Sequence, residues 1–302
     1  MGHFGGSHRH SVLTLIRKEP HPLSSHAGTI DCHAHIGAFE GYDLTEETLL
    51  EELSKGEVAL ALVSNIDGAE VPGKTRGLDE AAANRAASHA VRRHPDRLRG
   101  LLWARPDRGD ASALVPFLRE RLRGASGGPW TDRVFVGIKL HPEMNAFPAD
   151  DPRVDPYLAL AQQHDIPVVV HCDGAVDEAS SARIHALARR HPGVSVVLYH
   201  MGFGGPYEPS IREVEEALRT GDADLYLETA QAPVEAVLDA LRRVGPARVL
   251  FGTDATYFGR GHYERYEALR VALAGSLEPN DLQRVMGGNA RVLFRLDHEE
   301  SR

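Results

Sequence analysis

The sequence predicts an α/β protein folded as a single (β/α)8 barrel of the TIM type. Three observations predict it. Eight short, β-branched runs alternate with eight amphipathic stretches after residue 28. The runs are almost continuously apolar, as parallel strands covered on both faces must be. Eight such units in about 270 residues match the usual size of a closed barrel. A doubly wound open sheet is the runner-up, weakened because no run is followed by a G-x-G-x-x-G or P-loop signature.

In chain order the strands are "TIDCHAHIG" (29–37), "ALALVSN" (59–65), "LRGLLWARP" (98–106) and "VFVGIKLHP" (134–142). The second half repeats the pattern with "PVVVHCD" (167–173), "SVVLYHMG" (195–202), "DLYLETA" (224–230) and "VLFGTDAT" (249–256). Helices are expected near 45–56, 79–94, 110–123, 153–164, 177–191, 208–219 and 262–274. The seventh in order is the clearest. In "APVEAVLDALRRVG", Val234, Val237, Leu238 and Leu241 form one apolar stripe, with Pro233 suited to a first turn and Gly245 ending the run.

Composition narrows the function. Of 302 residues, 42% are hydrophobic and 25% charged, an ordinary soluble balance. A formal charge of −9 leaves no basic footprint for nucleic acid and no polybasic membrane patch. No apolar run approaches the ~18 residues that span a bilayer. Cys32 and Cys172 cannot build a disulfide framework, which points to the cytoplasm. Residues 1–28 read as a flexible His-rich leader, carrying His3, His8, His10, His21 and His26, ahead of the barrel domain at 29–302. A homodimer is the default assembly.

The polar residues that interrupt the strands fall near their C-terminal ends, the catalytic face of a barrel. They are His33 and His35, Lys139 and His141, His171, His200, Glu228 and Asp254. Alternation along a strand puts His33 and His35 on one face, and Lys139 and His141 on another. One strand-end histidine is ordinarily just a hydrogen-bonded residue. Six strands delivering such groups into one space need a compensating partner, and a divalent metal supplies it: zinc first, with manganese or iron also suited to imidazole and carboxylate donors. The same alternation puts Cys32 outward, in core packing, and Cys172 also reads as packing. No G-x-S-x-G elbow or nucleophilic cysteine is evident.

In order, "DCHAH", "GIKLH", "VVVHCD", "LYHMG" and "FGTDA", with the closing "GGNARVLFRL", resemble the amidohydrolase superfamily, in particular its amidohydrolase-2 branch, over roughly residues 29–296. The resemblance implies that His33, His35, His171 and Asp254 ligate one divalent metal. It makes His200 either a ligand of a second metal or the group that polarises substrate. Lys139 is either a substrate or backbone contact or, in a less favoured binuclear form, a carbamylated bridge between two metals. Glu228 is either a group that orients a ligand or an ordinary strand-end carboxylate. TatD-like nucleases share the first-strand H-x-H but carry a glutamate where this chain has Lys139, which argues against a DNA substrate.

The resemblance implies hydrolysis of an amide, cyclic amide or lactone of a small molecule. Metal-activated water would attack, Asp254 would accept its proton, and His200 would steady the oxyanion. The alternative is non-oxidative decarboxylation of an aromatic or unsaturated acid, with Lys139 or Arg260 holding the carboxylate. Many decarboxylases of this type are longer, with an added insertion that is not expected in this chain. A non-catalytic metal- or ligand-binding barrel is the third reading. Substrate contacts are sought at His141, Tyr257 and Arg260, and on loops that include Asn65, Arg76, Glu143, Asn145 and Tyr207.

Overall fold

The computed structural model describes residues 28–70, 77–122 and 130–297. The histidines of the leader and Arg76 lie outside the described residues. Eight parallel strands form one sheet in the order β1 to β8. They are β1 (Thr29–Ile36), β2 (Val58–Asn65), β3 (Leu98–Trp103), β4 (Phe135–Leu140), β5 (Val168–Asp173), β6 (Ser195–Phe203), β7 (Asp224–Glu228) and β8 (Val249–Leu250). The helices between them are α1 (Glu46–Lys55), α2 (Glu80–Arg93), α3 (Val115–Leu118), α4 (Asp155–His164), α5 (Ser181–Arg190), α6 (Glu208–Thr220) and α7 (Val234–Val244), and α8 (Glu267–Ser276) follows β8. This is the (β/α)8 barrel that the alternation predicts.

Local chemistry sets the helix ends. Thr45 caps α1 by accepting from Thr48 N at 3.2 Å, and Asp79 caps α2 by accepting from Ala82 N at 2.6 Å. In α7 the buried residues Val237, Ala240, Leu241 and Val244 face the sheet. Each large apolar side chain removed from water there contributes about 1.5–3 kcal/mol. Inside the barrel, Ile30, Leu60, Leu62, Leu101, Val169, Val197, Tyr199 and Leu250 pack together. Phe294 and Leu296, from the segment after α10 (Asn289–Leu293), join them; a short α9 (Pro279–Gln283) precedes it.

Two elements are shorter than expected. The stretch 110–123 makes a 3-10 turn, Ala111–Leu114, and then α3, which ends at Leu118. Beyond it the chain joins an antiparallel bridge, with Leu122 N donating to Asp132 O at 2.7 Å. Regular pairing in β8 stops at Leu250, because the Asp31 carboxylate takes Thr253 N at 3.1 Å in place of a ladder partner. The extended chain nevertheless closes the barrel onto β1. Cys32 N donates to Phe251 O at 3.1 Å, His35 N to Ala255 O at 2.6 Å, and Ala255 N to His33 O at 3.1 Å.

Cys32 corrects the sequence expectation. It belongs to the interior cluster, not to the outer layer. The register of β1 against β2 shifts between Asp31 and Ala34. Such a bulge breaks strict alternation, so Cys32 and the two histidines beyond it all face inward. Cys172 is buried as expected, with Sγ 3.4 Å from Ser210 Oγ.

Candidate metal centre

The bulge in β1 sends His33 and His35 into the mouth of the barrel, where Asp254 meets them from the far side of the closure. His33 Nε2 and His35 Nε2 are 3.3 Å apart. Asp254 Oδ1 lies 3.2 Å from His35 Nε2 and 3.5 Å from His33 Nε2. All three residues are buried.

Outer partners set the tautomers. His200 Nδ1 faces the carbonyl of Ala230 at 3.2 Å; a carbonyl only accepts, so Nδ1 carries the proton and Nε2 keeps its lone pair. His33 Nδ1 lies 3.0 Å from Glu228 Oε2, and His35 Nδ1 lies 3.0 Å from Ser64 Oγ. If Nδ1–H is donated outward in both, two Nε2 lone pairs confront each other across 3.3 Å, an arrangement that a cation between them would relieve. Two ligands ~2.0–2.1 Å from a tetrahedral centre are separated by about 3.3 Å, so the 3.2, 3.3 and 3.5 Å edges fit a divalent metal.

Burial drives the titration of the site. It lowers His33 well below the ordinary imidazole value, and Lys139 nearby adds to the effect. His171 falls to about 3, again mainly through burial. Burial also lifts the Glu228 carboxyl to about 8, against the His200 and Ala230 N–H groups that bind it. Burial would raise Asp254, but the His35 contact and the charges of His35, His200 and Lys139 prevail and hold it below the usual carboxylate range. Lys139 is pushed down to about 7 by burial; its Nζ lies 3.4 Å from His33 Nε2 and 4.2 Å from the Tyr199 ring centre. His200 and Asp254 both adopt left-handed backbone, with φ of 68° and 61°. Non-glycine residues rarely do so, and such strain gathers at functional sites.

The remaining residues singled out by sequence separate into two groups. Lys139, His200 and Glu228 surround the centre, and Glu228 also accepts from His200 N at 3.1 Å. His171 stacks on His141 at 3.9 Å, and its Nε2 lies 3.2 Å from Glu143 Oε2. Its donor atoms group with His141 and Glu143, not with His33, His35 and Asp254. Tyr257 stands at the rim, with its hydroxyl 3.4 Å from Tyr42 OH. Arg260 is exposed and paired with Glu51 on α1, away from the centre. Asn65 is buried and caps the turn at Asp67 N, Asn145 is buried near Gly68 O, and Tyr207 is half-buried. Sequence reading passed over Ser64 behind His35, Gln231, whose Nε2 donates to Asp254 Oδ2 at 2.7 Å, and Tyr199 beneath His33. Ser64 ends the apolar run of β2, the one signal that marked it, while Gln231 lies three residues beyond β7 and carried none.

A family model described as Amidohydro_2, amidohydrolase, matches residues 30–296. No curated protein matches. Among solved structures, 2,6-dihydroxybenzoate decarboxylase from Rhizobium is similar with a TM-score of 0.61 and 16% identity, covering 89% of this chain and 98% of that one. A 5-carboxyvanillate decarboxylase from Novosphingobium aromaticivorans, complexed with manganese and 4-hydroxy-3-methoxy-5-nitrobenzoic acid, gives 0.63 and 14%, covering 90% and 97%. The 4-oxalomesaconate hydratase from Rhodopseudomonas palustris gives 0.61 and 16%, covering 88% and 95%. Among the described residues no helix is long and apolar enough to cross a membrane.

Proposed function

The chain belongs to the amidohydrolase family, and from that premise we propose that it is a metal-dependent, non-oxidative decarboxylase of a small aromatic or unsaturated carboxylic acid. The observation that carries the proposal is the buried amine of Lys139, 3.4 Å from His33 Nε2 beside the His33, His35 and Asp254 cluster. Burial disfavours the charge of this amine, and an arriving carboxylate would restore it by pairing, which favours an anionic substrate over a neutral amide or lactone. The similarity to two decarboxylases supports the same choice. Their chains are matched over 97–98% of their length, which removes the expectation that a decarboxylase needs an insertion missing here.

His33, His35 and Asp254 would hold the metal, with His171 the fourth ligand that the resemblance implies. When bound, it supplies Lewis-acid charge for the substrate's carboxylate and a neighbouring oxygen. Manganese, zinc and iron all suit these donors; manganese is the first to test, because it is bound in the carboxyvanillate decarboxylase.

Lys139 Nζ pairs with the incoming carboxylate. Asp254, ionised in the resting protein, takes up a solvent proton and delivers it to the carbon that bears the carboxylate. The carbon–carboxylate bond then breaks, its electron pair returns to the ring or double bond, and carbon dioxide leaves. Gln231 keeps Oδ2 of Asp254 engaged, so that Oδ1 faces the centre. Glu228 and Ser64 hold the Nδ1 sides of the two imidazoles, so that Nε2 of each faces the centre.

Hydrolysis of an amide, cyclic amide or lactone, the leading expectation from sequence, would use the same residues. A panel of hydroxylated benzoates and unsaturated acids, scored for carbon dioxide, and a parallel panel of amides and lactones decide between them. Carbon dioxide from the first panel alone supports decarboxylation. Turnover confined to the second refutes it.

A further inference from the structure

Tyr199, in the barrel interior, touches three parts of the metal centre at once. Its hydroxyl crosses from β6 to β1 and donates to the carbonyl of Cys32. Its ring lies against the His33 imidazole, with centres 3.9 Å apart and planes 34° apart. The amine of Lys139 stands over the same ring, with Nζ 4.2 Å from its centre. Tyr199 is fully buried, so it acts on these groups and not on an arriving substrate.

Both strands leave regular geometry where they meet. The register of β1 against β2 passes from Asp31–Ala61 straight to Ala34–Val63 and skips Cys32 and His33. Cys32 N turns instead to Phe251 O at 3.1 Å, and Cys32 O takes the phenol. A buried carbonyl seldom goes without a donor, and the phenol supplies one where the ladder is interrupted. On β6, Val197 and Tyr199 share the interior face, two residues apart as a strand requires. By the same rule His200 would face away. Its left-handed backbone, with φ of 68°, turns it back, and its ring centre comes to 4.7 Å from that of His33. Strain of this kind persists only where the surrounding contacts over-determine it.

The Cys32 carbonyl shares a rigid peptide plane with His33 N, so a bond that fixes one fixes where the His33 side chain begins. Glu228 then holds that imidazole by its Nδ1 edge and Tyr199 by its face. For Lys139 the ring has a different use. A cation over an aromatic face is favoured, most of all when desolvated, so the ring gives the amine a seat once a carboxylate restores its charge.

We propose that Tyr199 is a positioning residue of the centre: its hydroxyl pins the β1 bulge so that His33 meets the metal, and its ring seats Lys139 for the carboxylate. The second half rests on the proposed function; the first does not.

The test compares full-length wild type, Tyr199→Phe and Tyr199→Met. Phenylalanine keeps the ring and loses the hydroxyl; methionine, flexible enough to refill the gap, loses both. Competition with a chromophoric chelator reads manganese affinity, and the electron paramagnetic resonance spectrum of the bound ion reads its surroundings. Steady-state kinetics at saturating manganese reads KM. Tyr199→Phe should bind manganese about tenfold more weakly, with an altered spectrum and KM unchanged. Tyr199→Met should lose at least as much affinity and also raise KM about 2–30-fold, the span of a cation–ring contact. A side chain that merely fills the core would lower stability in urea and leave the affinity and spectrum of Tyr199→Phe as in wild type; that result overturns the proposal. A KM raised as much in Tyr199→Phe as in Tyr199→Met overturns the seat for Lys139. Tyr199→Phe tests both halves by itself, whether or not Tyr199→Met folds. If no acid is turned over, its manganese affinity and spectrum still decide the pin, so this proposal and the proposed function fail separately.

Discussion

Replacing Glu228 by Gln tests how the metal centre is organised. Three donors converge on this carboxylate: His33 Nδ1 at 3.0 Å and His200 N at 3.1 Å on Oε2, and Ala230 N on Oε1. A glutamine offers one acceptor oxygen and one NH2 group. Whichever way the amide turns, at least one donor faces NH2 instead of an acceptor. A buried group left unsatisfied in this way costs about 1–3 kcal/mol of folding stability. If the NH2 faces His33, the imidazole accepts through Nδ1 and protonates Nε2, the atom aimed at the metal. We therefore expect metal affinity to fall about 10–100-fold, or about 1.4–2.7 kcal/mol. Competition with a chromophoric chelator measures the first effect, and urea unfolding the second. A variant that binds metal as tightly as wild type would refute the assignment of Glu228 as the group that fixes His33.

Three further substitutions probe other parts of the molecule. Gln231→Leu removes the 2.7 Å contact to Asp254 Oδ2 and should lower kcat about tenfold with metal content unchanged, read by steady-state kinetics and elemental analysis. Gly68→Ala would place a Cβ 2.6 Å from Trp103 Cδ1 and should cost about 1–3 kcal/mol in a urea titration. Burial holds His262 down to about 4, from an ordinary 6.5. Such a group adds stability that is full above pH 6.5 and lost as pH falls toward 4, so it should remove about 2 kcal/mol between pH 7 and pH 5. His262→Gln should flatten that part of the pH profile; an unchanged slope would contradict the burial effect.

Much of the molecule is legible in the sequence, for reasons that can be named. Apolar runs such as "PVVVHCD" must be covered on both faces, which gives the strands and their order. The polar residues that end them, from His33 to Asp254, mark the catalytic face because nothing else justifies their burial. Long-range accommodation is not legible. The bulge that turns Cys32 inward depends on the register of β1 against β2, and β8 shortens because the Asp31 side chain competes for Thr253 N. Ser64 and Gln231 are single polar residues whose roles appear only when distant strands meet. Arg260 looks like a substrate cation in sequence, yet Glu51 on α1 holds it outside. His171 is drawn toward Glu143, a loop residue whose position no strand pattern fixes.

The central claim is that Asp254 protonates carbon as the carboxylate leaves. Turnover of an accepted acid by manganese-loaded protein in D2O, followed by NMR of the product, tests it most directly. One deuterium at the carbon that lost the carboxylate, with the reaction abolished in Asp254→Asn, is the expected result. Deuterium-free product, or undiminished decarboxylation by Asp254→Asn, would contradict it.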